Sequence, residues 1–261
     1  MKNSNINLFF ITISPWPLIL SISLIIFCIN LIQCLFIKFN LTLFLSFLSI
    51  ILILYCWWID IVIESLIIGF HNIYIVSITI YRIIIFIISE ILFFIRFFWT
   101  FFNSIISPDI SIGLNWPPYE INVINFLNLP LLNSLLLIRS ACSLTWRHYK
   151  ILRNNLKSSK LSLIITKFLG LNFLLCQIFE YYTSIFSISD GIFCSIFFIS
   201  TGFHGIHVLI GLIFLFFMFI RIKLNHFSKD HFIGFEFSIW YWHFVDIVWL
   251  FLYLIIYWLG S

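Results

Sequence analysis

The chain has 261 residues, 62% of them hydrophobic and only 9% charged, with a mean hydropathy of +1.14 and a formal net charge of +4. A soluble domain is about a quarter charged, and no soluble fold of this length could hide so much apolar surface. The composition excludes a soluble enzyme and a nucleic-acid-binding module, and it requires an all-α polytopic membrane protein. The apolar runs are long and continuous, unlike the alternating segments of about ten residues in a membrane barrel. Aromatic residues make up 21% of the chain, including 34 Phe and 10 Trp, which suits a bundle with interfacial anchors. Six cysteines, Cys28, Cys34, Cys56, Cys142, Cys176 and Cys194, lie in or beside apolar runs without a CxxC pair, and they read as small hydrophobes. The opening "MKNSNINLFF" has one Lys and no Arg-rich amphipathic stretch, so no transit peptide is expected.

Seven spans follow in order. The first two, Trp16–Phe36 and Leu41–Trp57, lead to a polar break around Asp60–Asn72. That break divides a two-helix unit, residues 1–70, from a five-helix bundle, residues 71–261. The third span, Ser77–Phe102, carries Glu90 in "ISEILFF". A long loop, about 103–126, contains "NWPPYEI", whose proline pair stops a helix. The fourth and fifth spans are Leu127–Trp146 and Leu161–Tyr182, and Glu180 closes the fifth. The sixth, Ile192–Ile222, contains "STGFHGIHVLIG" with His204 and His207. The seventh, Phe235–Trp258, opens with Glu236 and carries His243 and Asp246 at i, i+3.

Loop charge sets the orientation. With the N-terminus inside, the inner segments 58–76, 147–160 and 223–234, with Lys2 and Arg221 at their edges, hold nine Lys or Arg. The outer loops hold one, Lys38, together with Asp109, Glu120 and Asp190. The bias predicts an inner N-terminus and an outer C-terminus.

An ionisable side chain at mid-membrane costs about 2.5–3.5 kcal/mol on insertion scales, so each needs a partner or a purpose. Three readings of His204 and His207 stand side by side. They could ligate a redox metal, since His at i, i+3 can share a face. They could hydrogen-bond across a close helix contact opened by Gly202, Gly205 and Gly211. They could form a proton-handling cluster with Glu90, which has no cation nearby on its own span except Arg96.

The chain resembles subunit III of the haem–copper cytochrome c oxidases. The resemblance runs through "SPWPL" (Ser14–Leu18), "WWIDIVIES" (Trp57–Ser65), "SEILFF" (Ser89–Phe94), "FFW" (Phe97–Trp99) and "WPP" (Trp116–Pro118). It continues through "PLLNS" (Pro130–Ser134), "TWRH" (Thr145–His148), "QIFEY" (Gln177–Tyr181) and "SISDGIF" (Ser187–Phe193). It ends in "TGFHGIHVLIG" and the run from Trp240 to Ser261.

The resemblance implies a subunit of cytochrome-c oxidase (EC 7.1.1.9) with no catalytic centre and no metal of its own. Haem a, haem a3 and copper are expected in partner subunits, subunits I and II. It implies that this subunit braces subunit I, sustains proton uptake and binds phospholipid, including anionic lipid, in a V-shaped cleft between the two units. Glu90 is then the partner of His204 or His207. Trp58, Glu64 and His71 match head-group contacts in the cleft, and Arg221 and His226, with Lys223 adding charge, match positions near an anionic lipid. The implied location is the mitochondrial inner membrane, multi-pass, with the N-terminus on the matrix side; a bacterial plasma membrane is the lesser alternative. No nucleic-acid partner is implied.

Two other functions compete. Subunit III of a quinol oxidase generally lacks the first two helices, which "SPWPL" and "WWID" mark as present here. An independent transporter would show broken helices or paired half-spans, and none are visible in the sequence.

The chain also departs from the family. Arg96, Arg139 and Arg147 stand where a small residue is usual. Met occurs twice and Ala141 is the sole alanine. Some organelle codes read certain arginine codons as serine or glycine, which would place small side chains at some of these positions in the mature protein. Tyr149 and Phe232 stand where histidines are usual, which argues against a surface metal site.

Overall fold

The computed structural model describes residues 14–36, 41–64, 73–108, 110, 113–118, 121–152, 156–224 and 232–260. Among these, seven α-helices and no strand occur. They are α1 (Trp16–Phe36), α2 (Leu41–Ile63), α3 (Ile73–Ile106), α4 (Leu129–Leu152), α5 (Leu156–Thr183), α6 (Ile192–Lys223) and α7 (Ile233–Leu252), which ends in a π-helical turn, Tyr253–Trp258. All seven are long and apolar enough to cross a membrane. With no water in the bilayer core, helices satisfy every backbone group internally.

Several helices outrun the expected apolar spans. α2 continues past Trp57 to Ile63, and α3 extends at both ends. Hydroxyl side chains explain how polar turns join α3. Thr100 donates to the Arg96 carbonyl, Ser104 to Thr100 and Ser107 to Asn103, so the polar groups are satisfied within the helix.

The chain divides into two compact units, Met1–Thr79 and Ile80–Ser261, and the division falls within the first turns of α3. The first unit is a hairpin of α1 and α2. Asn30 and Thr42 clasp its turn: the Thr42 hydroxyl donates to Asn30 Oδ1 at 3.0 Å and Asn30 Nδ2 to the Thr42 carbonyl at 3.3 Å. At the open end, Trp16 Nε1 donates to the Asp60 carboxylate. These two ties set the register of the hairpin, and Phe27 meets Phe47 between them.

The second unit is built around two buried tryptophans of α7. Trp242 Nε1 donates to Ser140 Oγ at 2.9 Å and Trp249 Nε1 to Ser134 Oγ at 3.1 Å, both on α4. The ring of Trp242 wedges between α5 and α6 at two glycines. A Cβ on Gly170 would lie 2.7 Å from Trp242, and one on Gly211 would lie 3.0 Å from it. The close approach expected at Gly202, Gly205 and Gly211 therefore holds only at Gly211. Gly202 meets only the Tyr181 hydroxyl, at 3.9 Å, and Gly205 faces open space. The residue that needs the room is the Trp242 indole, not an imidazole. A hydrogen bond of 2.7 Å between Ser143 and Thr166 ties α4 to α5, and one of 2.7 Å between Tyr181 and Thr201 ties α5 to α6. Trp116, from the long loop, packs edge-on against Phe101 and Phe193.

Candidate functional site

Glu90 lies on α3 and His207 on α6, 117 residues apart, and their side chains meet: His207 Nε2 is 2.9 Å from Glu90 Oε2. Aromatic rings close around them. Phe94 meets the imidazole edge-on at 5.2 Å, Tyr241 stacks at 6.5 Å and Phe244 lies at 6.1 Å, all between ring centroids. Phe93 and Phe97 of α3 pack on Phe203 of α6, which holds the two helices in register at this point.

The other ring nitrogen fixes the chemistry. His207 Nδ1 lies 2.7 Å from the carbonyl of Phe203, one turn earlier on α6. A carbonyl only accepts, so Nδ1 carries a hydrogen. In a neutral ring Nε2 is then a bare acceptor, and Glu90 must donate to it through a protonated carboxyl. In a charged ring Nε2 donates to a Glu90 carboxylate. Both states contain the same single proton, on Oε2 or on Nε2. The arrangement can pass that proton across 2.9 Å without moving a helix.

His204 has a different fate. It is 1% exposed, and neither ring nitrogen has a hydrogen-bond partner. Its ring packs edge-on against Phe173 at 5.5 Å and lies 5.2 Å from Trp249. The structure brings Glu90 to His207 and leaves His204 on the inner face of α6 as a packed imidazole. Residues three apart on a helix differ by about 60° around it, and here that is enough for His207 to meet α3 while His204 packs on α5 and α7.

The expected lipid contacts fall in two places. In the first unit, Trp58 is half-buried near the end of α2 and Glu64 follows that helix directly; both are engaged in further interactions. His71 and His226 lie outside the described residues. In the second unit, Arg221 and Lys223 occupy the last turn of α6. The Arg221 guanidinium packs against Gly234, where a Cβ would meet Nη1 at 3.2 Å. Lys223 is exposed, and its ammonium lies 4.8 Å from the ring centre of Phe219. Lys167 of α5, overlooked in the sequence, reaches the same ring at 3.8 Å. It sits one to two turns inside the span and extends its stem toward the basic end, as long cationic side chains do.

His243 and Asp246 approach only to 3.9 Å, and the Asp246 carboxylate is buried without a hydrogen bond. Arg147 is fully buried on α4. Among the described residues its Nε, Nη1 and Nη2 have no hydrogen-bond partner, and its guanidinium lies 5.0 Å from the centre of the Phe235 ring. Arg96 and Arg139 are exposed well inside α3 and α4. Among the described residues, no three His, Cys, Asp or Glu side chains gather as a metal site would require.

The family model of cytochrome c oxidase subunit III matches residues 7–261. Over 250 residues the chain is 47% identical to cytochrome c oxidase subunit 3 of Rhipicephalus sanguineus, covering 94% of this chain and 95% of that protein. It is 44% identical over 248 residues to cytochrome c oxidase subunit 3 of Mammuthus primigenius and to that of Pisaster ochraceus, with 95% of each chain covered.

Proposed function

The chain belongs to the cytochrome c oxidase subunit III family, and we propose that it acts in complex IV as a proton-handling and lipid-binding core subunit. It is a multi-pass membrane subunit of the oxidase (EC 7.1.1.9). The observation that supports the proton reading is the 2.9 Å contact between Glu90 Oε2 and His207 Nε2, with Nδ1 turned to the Phe203 carbonyl. The neutral pair can become an ion pair by transfer over one hydrogen bond. Such a pair stores a proton near subunit I and sustains its uptake there. Haem a, haem a3 and copper, in subunits I and II, supply the electron transfer to oxygen; the residues of this chain brace that machinery.

Arg221 and Lys223, joined by Lys167, hold the phosphate of an anionic phospholipid by charge-assisted contacts. Trp58 and Glu64 serve a second head group in the α1–α2 unit. The membrane is the mitochondrial inner membrane, with the N-terminus on the matrix side, in keeping with the basic inner loops. The presence of both α1 and α2 favours the cytochrome c form over the quinol form.

The test has two arms. Purification in mild detergent is expected to yield this chain with a haem-bearing partner; recovery of the chain alone, active as a transporter, would overturn the assignment. Glu90→Gln keeps a hydrogen bond to Nε2, and so should leave subunit content intact while slowing proton uptake by the assembled complex. Unchanged uptake would reduce Glu90 to a packing residue.

A further inference from the structure

Another buried carboxyl, that of Glu180, lies in the five-helix unit, at the far end of α5 from Lys160. Four polar side chains from three elements converge there. Asn133 comes from the start of α4, Gln177 and Glu180 from neighbouring turns of α5, and Tyr257 from the π-helical turn. Asn133 is 0% exposed, Gln177 4%, Glu180 1% and Tyr257 1%. Asn133 Nδ2 points at Gln177 Oε1 at 3.5 Å, the outer limit of a hydrogen bond. The Tyr257 hydroxyl faces both Glu180 and Gln177.

Despite this convergence, the direct bonds do not close. Glu180 Oε1 and Oε2, Gln177 Nε2, Asn133 Oδ1 and Tyr257 Oη are all buried without a hydrogen-bond partner. Five unmet groups in one place are unusual, because buried polar atoms are almost always satisfied by protein or by ordered water. Nor do the described residues supply a countercharge: those that interact with Glu180 are Tyr257, Tyr181 and Cys176, all neutral. A carboxylate would stand unpaired in a span, whereas a carboxylic acid adds the donor that the cluster lacks beside its acceptors.

We propose that Asn133, Gln177, Glu180 and Tyr257 form a proton-holding site in which Glu180 carries a proton and an internal water joins its carboxyl to the phenol and the two amides. The water has up to four polar partners, the number that buried waters use. One carboxyl and two amides do not make a divalent-cation site, which needs more oxygen ligands and more negative charge. The hydrogen bond between Tyr181 and Thr201 closes one wall. On the other side of Tyr257 lie the apolar side chains of Phe186, Phe193, Phe197 and Ile256. The site is separate from Glu90 and His207 and does not depend on their role. It gives the bundle a second group that holds a proton without a countercharge.

Infrared spectroscopy of the intact oxidase complex tests this. The wild-type complex should show the C=O stretch of a neutral carboxylic acid that is lost in Glu180→Gln. The same band should shift in Tyr257→Phe, which removes the phenol from the network while leaving the acid. If Glu180→Gln leaves the C=O region unchanged, Glu180 holds no proton and the proposal fails. If the band is Glu180's but does not move in Tyr257→Phe, the bridged network fails. Should Glu180→Gln not assemble, density in the wild-type complex decides: a solvent peak within hydrogen-bond distance of Glu180 and Gln177 supports the site, and its absence overturns it.

Discussion

At His207 one carbonyl decides how many protons the Glu90 pair holds. Because Phe203 takes the Nδ1 hydrogen, Nε2 needs a donor whenever the ring is neutral. Glu90→Ala removes that donor and strands a buried nitrogen, which costs about 1–3 kcal/mol. Heating the complex should release the Glu90→Ala subunit at a lower temperature than wild type, with Glu90→Gln close to wild type; equal loss in both would show that charge, not the hydrogen bond, matters. Arg147 poses the opposite problem. Its contact with Phe235 is worth about 2 kcal/mol when desolvated, while a buried unpaired charge costs several. Burial wins, and a small side chain fits the site better than a guanidinium. Peptide mass spectrometry of the mature subunit is expected to find serine or glycine at 147, and likewise at 96 and 139, where arginine is exposed within a span. Arginine at 96 and 139 would end this account. The sequence already marked Glu90, His204 and His207 as costly in a span and the three arginines as departures from the family. It did not reveal which imidazole meets Glu90, because that depends on how α3 lies across α6. Tyr257 was missed because a tyrosine near the end of a span reads equally well as an interfacial anchor.

Among the elements, α7 organises its neighbours through Trp242. Gly170 and Gly211 are small because the indole occupies the space where their side chains would be. Gly170→Ala puts a Cβ 2.7 Å from Trp242 and 2.8 Å from Leu212. Such overpacking typically costs about 1–3 kcal/mol, so less of the variant subunit should remain with the complex in detergent. Gly205→Ala is the control: open space surrounds it, and alanine favours a helix by up to about 1 kcal/mol. A loss at 205 as large as at 170 would refute the wedge. The turn between α5 and α6 depends on Asp190, which accepts from the Ser187 amide and hydroxyl, both at 2.6 Å. Those bonds hold its carboxyl below the ordinary aspartate value of 3.8. A depressed pKa means that the stabilisation is complete above the unfolded value and fades as pH falls through the folded one. Acid below that value should therefore loosen this turn, visible as faster amide exchange at Ser187; exchange unaffected by acid would remove the role. The helices themselves were legible from hydropathy, since a bilayer leaves the backbone few choices. Their ends were not, because hydroxyl side chains bonded to their own backbone let polar turns continue α3.

For the whole molecule the chief asymmetry is charge, with nine Lys or Arg at the inner segments, eight without Arg147, against one in the outer loops. That bias accounts for orientation without any bound lipid, so a lipid role for Arg221 and Lys223 needs its own argument. Geometry supplies it at Phe219. Lys223 lies 4.8 Å from the centre of that ring and Lys167 lies 3.8 Å from it, so two ammonium groups share one aromatic ring. Ring contacts of this kind contribute about 0.5–1 kcal/mol each at exposed sites, but they do nothing for the repulsion between the two lysines. A phosphate diester does, since it accepts charge-assisted hydrogen bonds from both. Topology and lipid binding then make different demands on Lys167. It lies within a span, not in a loop, and orientation does not require it. Lys167→Gln should leave the subunit's orientation and abundance unchanged while lowering the anionic phospholipid that co-purifies with the complex, and the double variant Arg221→Gln with Lys223→Gln should lower it further. Lipid content equal to wild type in both variants would leave these residues as topology signals alone.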